Sequence, residues 1–326
     1  MIKQGLFAIL FFLLLTTLVG IIFEMEGEVR QAQETIVILR GQNAFQIAAD
    51  LKAEGRINSK ILFLFELAKS GNFRNLKSGE YDLKNLTNQE IIDKMVKGIT
   101  APKIVTIIPG QTLRDIQNDP QIKKILKSNN FENVDIAPLK DKFDFLKEIP
   151  KDGDLEGYLF PDTYQLPETL SADDLILAAL KNFDVKLDLL GRQNFIAKNL
   201  TVRDAVIMAS ILEKEVKTLE DKKIVAGILY KRIAAGMLLQ ADATLLYYKA
   251  GSPDHFNKEI DSRYNTYKYT GLPPGPICNP GLESLEAAIE PVKTDYWYYL
   301  SAPDGATVFS ETYDEHLRNI AAYLKN

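Results

Sequence analysis

The sequence predicts an α+β protein: a single N-terminal transmembrane helix, a small strand–helix module, and then a larger mixed α+β domain built around one buried helix. Three observations carry that expectation. Leu6 to Phe23 is an 18-residue run without a charge, just long enough to cross bilayer hydrocarbon as a helix. Two strand-like runs, ThrIleValIleLeu (35–39) and LysIleValThrIleIlePro (103–109), each lead through a Gly-Gln turn into a helical pattern. Thr201 to Val216 opens with the Thr-x-x-Asp pattern of a helix start and is then apolar almost all round, as in a helix packed among others.

At 326 residues the chain has room for two domains behind an anchor. A hydrophobic content of 46% and a charged content of 25% are ordinary for a globular protein. The net charge of −5, from 39 basic and 44 acidic residues without a long basic run, argues against nucleic acid as a partner. The single cysteine, Cys278, has no internal disulfide partner, and no Cys/His spacing suits zinc, so neither metal nor cofactor is expected. His255 and His316 lie far apart in sequence; a Cys–His pair stays formally open beside the commoner small buried thiol.

Taken in order, the apolar run is preceded by Lys3 and followed by Glu24, Glu26 and Glu28, with no Ala-x-Ala-like cleavage site. Residues 1–23 therefore read as an uncleaved anchor with Lys3 in the cytoplasm and all later residues outside, a cleaved signal peptide being the alternative. Residues 24–34 read as a linker. From 35 to 98 the order is strand, helix from Ala44 to Glu54 with Ile47, Ala48 and Leu51 inward, helix at about 59–70, strand at 77–83, and helix from Asn88 to Lys97 closed by Gly98. Residues 99–326 form the larger domain. Within it, residues 119–153 are rich in Lys, Asn and Asp and read as a surface region of short helices.

LeuGluGlyTyrLeuPheProAspThrTyrGlnLeuPro (155–167) sets Tyr158, Phe160 and Tyr164 among acids and prolines without a regular period. Such a loop covers a core or faces a sugar, and the residues leave both open. On the helix of Thr201 to Val216, Ala205, Ala209, Leu212 and Val216 share one stripe at about 100° per residue, with Glu213 and Glu215 on its opposite shoulders. Either glutamate could sit at the solvent edge beside lysines, or at the mouth of a buried helix where a carboxyl can be kept protonated. Thr218 with Asp221 starts a second capped helix running to Ala235, and Gln240 and Asp242 follow just beyond its closing glycine. SerArgTyrAsnThrTyr (262–267) leads into GlyLeuProProGlyProIleCysAsnProGly (271–281), too rich in Pro and Gly for helix or inner strand; it is a rigid groove wall or a structural cross-over. The chain ends in a helix from Leu282, a strand–turn–strand hairpin over 296–310, and a helix from Thr312 to Leu324.

Together LeuGluGlyTyrLeuPheProAspThrTyr, AlaSerIleLeuGluLysGluVal, LeuGlnAlaAsp, TyrAsnThrTyr and the 271–281 loop resemble, in order and spacing, the YceG-like family of endolytic murein transglycosylases. The resemblance runs from about residue 35 to the C-terminus. Two departures are an Ala in LeuGlnAlaAsp where Ser or Thr is more familiar, and a Leu in GluHisLeu (315–317) where Asn is common. The resemblance implies that residues 35–98 are a LysM-like module and that 99–326 are the catalytic domain. It also implies a single-pass inner-membrane enzyme, catalytic domain on the extracytoplasmic side, that cuts nascent peptidoglycan glycan strands and so terminates them, with cell-wall synthases as partners. It assigns catalysis to the first glutamate of Ser-x-x-Glu-Lys-Glu, here Glu213. Glu215, Tyr158, Gln240, Asp242, Tyr264, Asn265 and Tyr267 are expected to support the reaction or bind substrate.

A lytic transglycosylase needs one carboxyl that first donates a proton to the MurNAc–GlcNAc bridging oxygen and then takes one from the MurNAc C6 hydroxyl, which closes to the 1,6-anhydro sugar. Burial of Glu213 beside Val202, Val206 and Ala209 would favour the protonated form this requires. Two rivals stand beside this reading: a glycan-binding adaptor of a synthesis complex, and a hydrolase with Glu213 as acid and Glu215 or Asp242 as the second carboxylate.

Overall fold

A computed structural model describes residues 35–126, 130–166, 171–248 and 258–324. The expected anchor at 1–23, the linker at 24–34 and His255 lie outside the described residues. The described chain forms two compact units that divide after Lys103.

In the first unit, alternation sets the strands. β1 (Ile36–Ile38) turns Ile36 and Ile38 inward and Val37 outward, and pairs antiparallel with β2 (Gly79–Tyr81), Ile36 opposite Tyr81. Between them run α1 (Ala44–Ala53) and α2 (Lys60–Lys69). After β2 comes α3 (Asn88–Lys97), opened by a Thr87–Glu90 capping box and closed at Gly98 in the left-handed conformation, φ 71°. Ile38, Ile47, Leu51, Phe63, Leu67, Tyr81 and Ile91 fill a core of their own. The strand–helix–helix–strand order is the expected one.

The second unit begins within β3 (Lys103–Thr106), at Ile104, and β3 pairs with β4 (Thr163–Leu166). The internal echo of Gly-Gln turns is a structural repeat. In the first unit the Leu39 N–H donates to Gln42 Oε1 at 2.7 Å while Gly41 takes φ 93°. In the second, the Ile108 N–H donates to Gln111 Oε1 at 2.8 Å while Gly110 takes φ 86°. Each turn delivers the chain to a capping box, Asn43 with Gln46 and Thr112 with Asp115, opening α1 and α4 (Leu113–Asn118).

Short helices follow, α5 (Pro120–Ile125) and α6 (Ala137–Lys140), with a 3₁₀ turn at Asp144–Glu148. The region expected at the surface is surface only in part, because Phe131, Ile136, Phe143, Phe145 and Leu146 are buried in the main core. Their irregular spacing hides them from a periodicity argument. α7 (Ala172–Leu190), absent from the sequence reading, starts at a Ser171–Asp174 capping box and buries Leu175, Ile176, Ala179, Leu180, Phe183 and Leu187. α8 (Arg192–Ala197) leads to the central helix α9 (Val202–Glu215).

In α9 every side chain from Ala205 to Leu212 is buried. Thr201 caps its start by accepting from the Asp204 N–H at 2.9 Å. The reciprocal half of a capping box is not made; the Asp204 carboxylate lies 3.5 Å from Arg203 instead. Around α9 pack α10 (Leu219–Ala234), capped by Thr218, α11 (Asp242–Tyr248) and α12 (Leu282–Ile289). The hairpin is β5 (Tyr298–Ser301) against β6 (Thr307–Ser310), and α13 (Tyr313–Tyr323) closes the chain. Among the described residues no helix is long and apolar enough to cross a membrane.

Candidate active site

The last turn of α9 sends its two glutamates to different places. Glu213 reaches across to the start of α12. Its Oε2 accepts from the Gly281 N–H at 3.0 Å and from Ser284 Oγ at 2.6 Å, at the start of α12. It also lies 3.6 Å from the Nζ of Lys222, a buried residue of α10. An anion at the first turn of α12 is favoured by the free N–H groups and the helix dipole there. Glu213 thus ties α9, α10 and α12 together, and all of these partners are donors.

Glu215 turns the other way. Its Oε1 accepts from the Ala243 N–H in the first turn of α11 at 3.4 Å, and its Oε2 from the Tyr299 hydroxyl of β5 at 3.2 Å. Burial pushes its carboxyl up to about 6; those two hydrogen bonds pull the other way, and the charge of Asp242 adds to the rise. On one side lies a cavity of about 480 Å³ with Gln240, Tyr267, Tyr298, Tyr299 and His316 in its wall. On the other lies one of about 460 Å³ walled by Arg114, Lys214, Leu246, Tyr247 and Ile277. Glu215, Asp242 and Ser301 line both, so the two form one groove with the carboxyls at its waist.

The expected supporting residues divide. Asp242 is exposed in the groove and accepts a hydrogen bond from the Tyr267 hydroxyl. Tyr267 lies with its ring 4.2 Å from the Lys258 Nζ. Gln240 is exposed in the same groove, held at φ 55° with its N–H on Thr266 O at 3.1 Å. Asn265 is a correction. It is fully buried, its Nδ2 donates to the Lys258 and Ile260 carbonyls at 2.8 and 2.7 Å, and its Oδ1 accepts from the Tyr267 N–H at 3.0 Å. It shapes the loop that presents Tyr267 and has no polar group left for a sugar.

Tyr158 lies apart from the Glu215 groove, its ring packed in the core 5.7 Å from Phe183 and 6.1 Å from Phe145. The 155–167 motif therefore covers a core. Tyr264, half-buried, packs its ring 5.4 Å from Tyr247. Tyr158 and Tyr264 line a separate small cavity, not the groove of Glu215.

The 271–281 loop proves both cross-over and wall. Asn279 N–H and Nδ2 each donate to Gln111 O at 2.9 Å, and Asn279 Oδ1 accepts from the Leu159 N–H at 2.9 Å, while Ile277 faces the groove. Cys278 is buried, and burial pushes its thiol up, away from the thiolate. His316 stacks on Tyr298 at 5.3 Å. Burial, then Arg232, pulls its imidazole down.

Sequence reasoning missed Tyr299, Lys222 and Glu156. Glu156, only 4% exposed, accepts from the Leu113 N–H at 3.2 and 3.1 Å and from the Tyr247 hydroxyl at 3.4 Å. Burial pushes its carboxyl up to about 8. No local pattern marks it; one acid in an aromatic loop looks like any other.

The profile of the YceG-like family matches residues 36–322. An endolytic murein transglycosylase of Streptococcus pneumoniae R6 is 31% identical over 324 residues, covering 90% of this chain and 58% of that protein. One from Bacillus subtilis 168 is 33% identical over 310 residues, covering 89% and 85% respectively. A crystal structure of a YceG-like protein from Listeria monocytogenes superposes with a TM-score of 0.58 at 34% identity, covering 87% of this chain and 98% of the other. The chain belongs to the YceG-like family. It spans somewhat more than half the length of the streptococcal relative, 58%.

Proposed function

We propose that the chain is an endolytic murein transglycosylase whose acid is Glu215. The observation that carries the assignment is the place of Glu215: the one carboxyl held up to about 6 that lines both cavities of the groove. The curated relatives' names support the reaction class. The geometry of Glu213, engaged by Gly281, Ser284 and Lys222, supports a positioning role for that residue in place of the acid.

The reaction needs one proton carrier. Glu215 donates its proton to the oxygen bridging MurNAc C1 and GlcNAc C4, and the C1–O bond breaks with the electrons leaving on that oxygen. The MurNAc C6 hydroxyl attacks C1 and gives its proton to the Glu215 carboxylate, which restores the acid and consumes no water. Asp242, beside Glu215 and negatively charged, stabilises the positive charge that develops at C1. Tyr267 holds Asp242 in place. Gln240 and Tyr298 offer hydrogen bonds and a ring face to sugars along the groove.

The anchor at Leu6 to Phe23 would hold this domain outside the cytoplasmic membrane, the LysM-like module at 35–98 would meet glycan, and nascent strands near the synthases would be the substrate. Because Asp242 shares the groove with Glu215, a two-carboxylate hydrolase is the second reading. Mass spectrometry of products from purified strands separates them: 1,6-anhydroMurNAc ends support the transglycosylase, reducing ends the hydrolase, and binding without cutting the adaptor.

A further inference from the structure

Apart from the groove, a cavity of about 200 Å³ that the reaction does not use is walled by Asp152, Asp154, Tyr158, Arg203, Tyr264 and the Pro274–Pro276 rim. Tyr158 is 1% exposed, and its hydroxyl has no hydrogen-bond partner among the described residues. A buried hydroxyl without a partner costs about 1–3 kcal/mol, so a molecule that supplies one is favoured there. The charges around that hydroxyl are those of Arg203, Glu148, Asp204 and Asp154.

Arg203 does not balance them. Its guanidinium meets Asp204 at 3.5 Å and donates to the Pro274 carbonyl, while the Arg203 backbone N–H donates to Glu148 at 2.7 Å. Asp154 accepts the Glu156 N–H on one oxygen at 2.9 Å, which leaves the other free to accept. Asp152 and Asp154 form no ion pair among the described residues. The cavity therefore combines an excess of negative charge, a waiting hydroxyl and an aliphatic rim of prolines.

We propose that this cavity binds a primary ammonium on a short aliphatic stem: the free side-chain end of a diamino acid in the peptide that a glycan strand carries. The ammonium donates to Tyr158 and Asp154, and the methylene stem lies along Pro274 and Pro276. The cavity is within reach of the groove, because the Tyr264 ring in its wall packs 5.4 Å from Tyr247, which lines the groove on the Lys214 side of Glu215. A peptide extended at about 3.3–3.6 Å per residue passes that tyrosine pair within a few residues. The proposal rests on the glycan-cutting reading for its ligand. It adds a consequence: a side-chain amine that has been acylated is an amide without charge, so the cavity refuses a stem whose own amine has been used.

The test is titration calorimetry on the full chain in detergent micelles, using a free stem tetrapeptide with its side-chain amine either native or N-acetylated. Binding of the native form about tenfold tighter than the acetylated form is expected, with that ratio falling several-fold in Tyr158→Phe and in Asp152→Asn. Asp152→Asn is included because it leaves the Asp154 turn intact. Equal binding of the two peptides, or a ratio that survives both substitutions, overturns the site. Strand cutting is followed in parallel. Strands cut without a peptide preference leave the transglycosylase and remove the cavity's role; a preference lost in Tyr158→Phe without any cutting keeps the cavity as a peptide site and removes the transglycosylase.

Discussion

Glu213 and Glu215 leave the same helix two residues apart, on shoulders that α9 alone makes equivalent. Their surroundings make them opposites. Glu213 meets the start of α12 and the ammonium of Lys222, a setting of donors. Glu215 meets one backbone N–H, one phenol and the like charge of Asp242 at the waist of an open groove. The first setting joins three helices; the second keeps a proton available next to space for a substrate. On the proposed assignment, the carboxyl of Glu215 becomes the acid through what packs on its shoulder, which β5 and α11, far away in sequence, supply.

The largest effect expected from breaking this asymmetry is on chemistry. Glu215→Gln keeps size and hydrogen bonding but removes the transferable proton, so turnover on glycan strands should fall by about 10²–10⁴. Glu213→Gln should cost under about tenfold. Rates measured on the same strands with both variants decide it: a greater loss at Glu213 would return the acid to that residue.

Glu213→Gln should instead show itself in stability. Gln can still accept from Gly281 and Ser284, but the Lys222 ammonium, side chain 6% exposed, loses its nearer anion and keeps only Glu283 at 4.0 Å. Leaving a buried charge poorly paired costs about 1–3 kcal/mol, and each kcal/mol lowers Tm by about 2–4 °C in a domain of this size. Adding Lys222→Met should recover part of the loss in thermal melts. An unchanged Tm would mean that the three-helix junction does not depend on the ion pair.

Much of this arrangement is legible in the sequence, and the illegible part has a physical pattern. Local signals read true: Thr201 and Thr218 cap their helices, Gly98 closes α3, and the two Gly-Gln turns repeat down to the same side-chain hydrogen bond. α7 carries local signals of the same kind, the Ser171–Asp174 box and an apolar stripe, and is nonetheless missing from the expected elements. What the sequence withholds is set by non-local partners. Nothing near Asn265 says that its amide is spent on Lys258 and Ile260, and nothing near Glu213 announces Gly281 and Ser284, some 70 positions on. Tyr299 reads as one more strand aromatic until the hairpin brings it to Glu215.

The comparison also sharpens through pH. As the acid, Glu215 must be protonated before the substrate is cut, and its carboxyl is held up to about 6. kcat/KM should therefore fall about tenfold per unit above pH 6, a limb lost with Glu215→Gln. Stability moves the same way: the folded form holds the proton more tightly than the unfolded chain, so this group's contribution is full below about 4.5 and is lost as pH rises through about 6. A descending limb that persists in Glu215→Gln would assign it to another group.

The smallest effect tests the finest feature, the Tyr299 hydroxyl on Glu215 Oε2 at 3.2 Å. That bond is stronger to the carboxylate than to the acid, so it opposes the rise that burial produces. Tyr299→Phe keeps the ring in the groove wall and removes only the donor. The limb should move to higher pH by under about one unit, while the plateau below it falls a few-fold because Glu215 is less firmly aimed. At pH 7 the two changes oppose, so a rate at one pH would mislead and the whole profile must be measured. A limb that moves to lower pH would mean that Tyr299 supports the protonated acid, and that the donor holding the carboxylate lies elsewhere, with the Ala243 N–H as the group left to carry it.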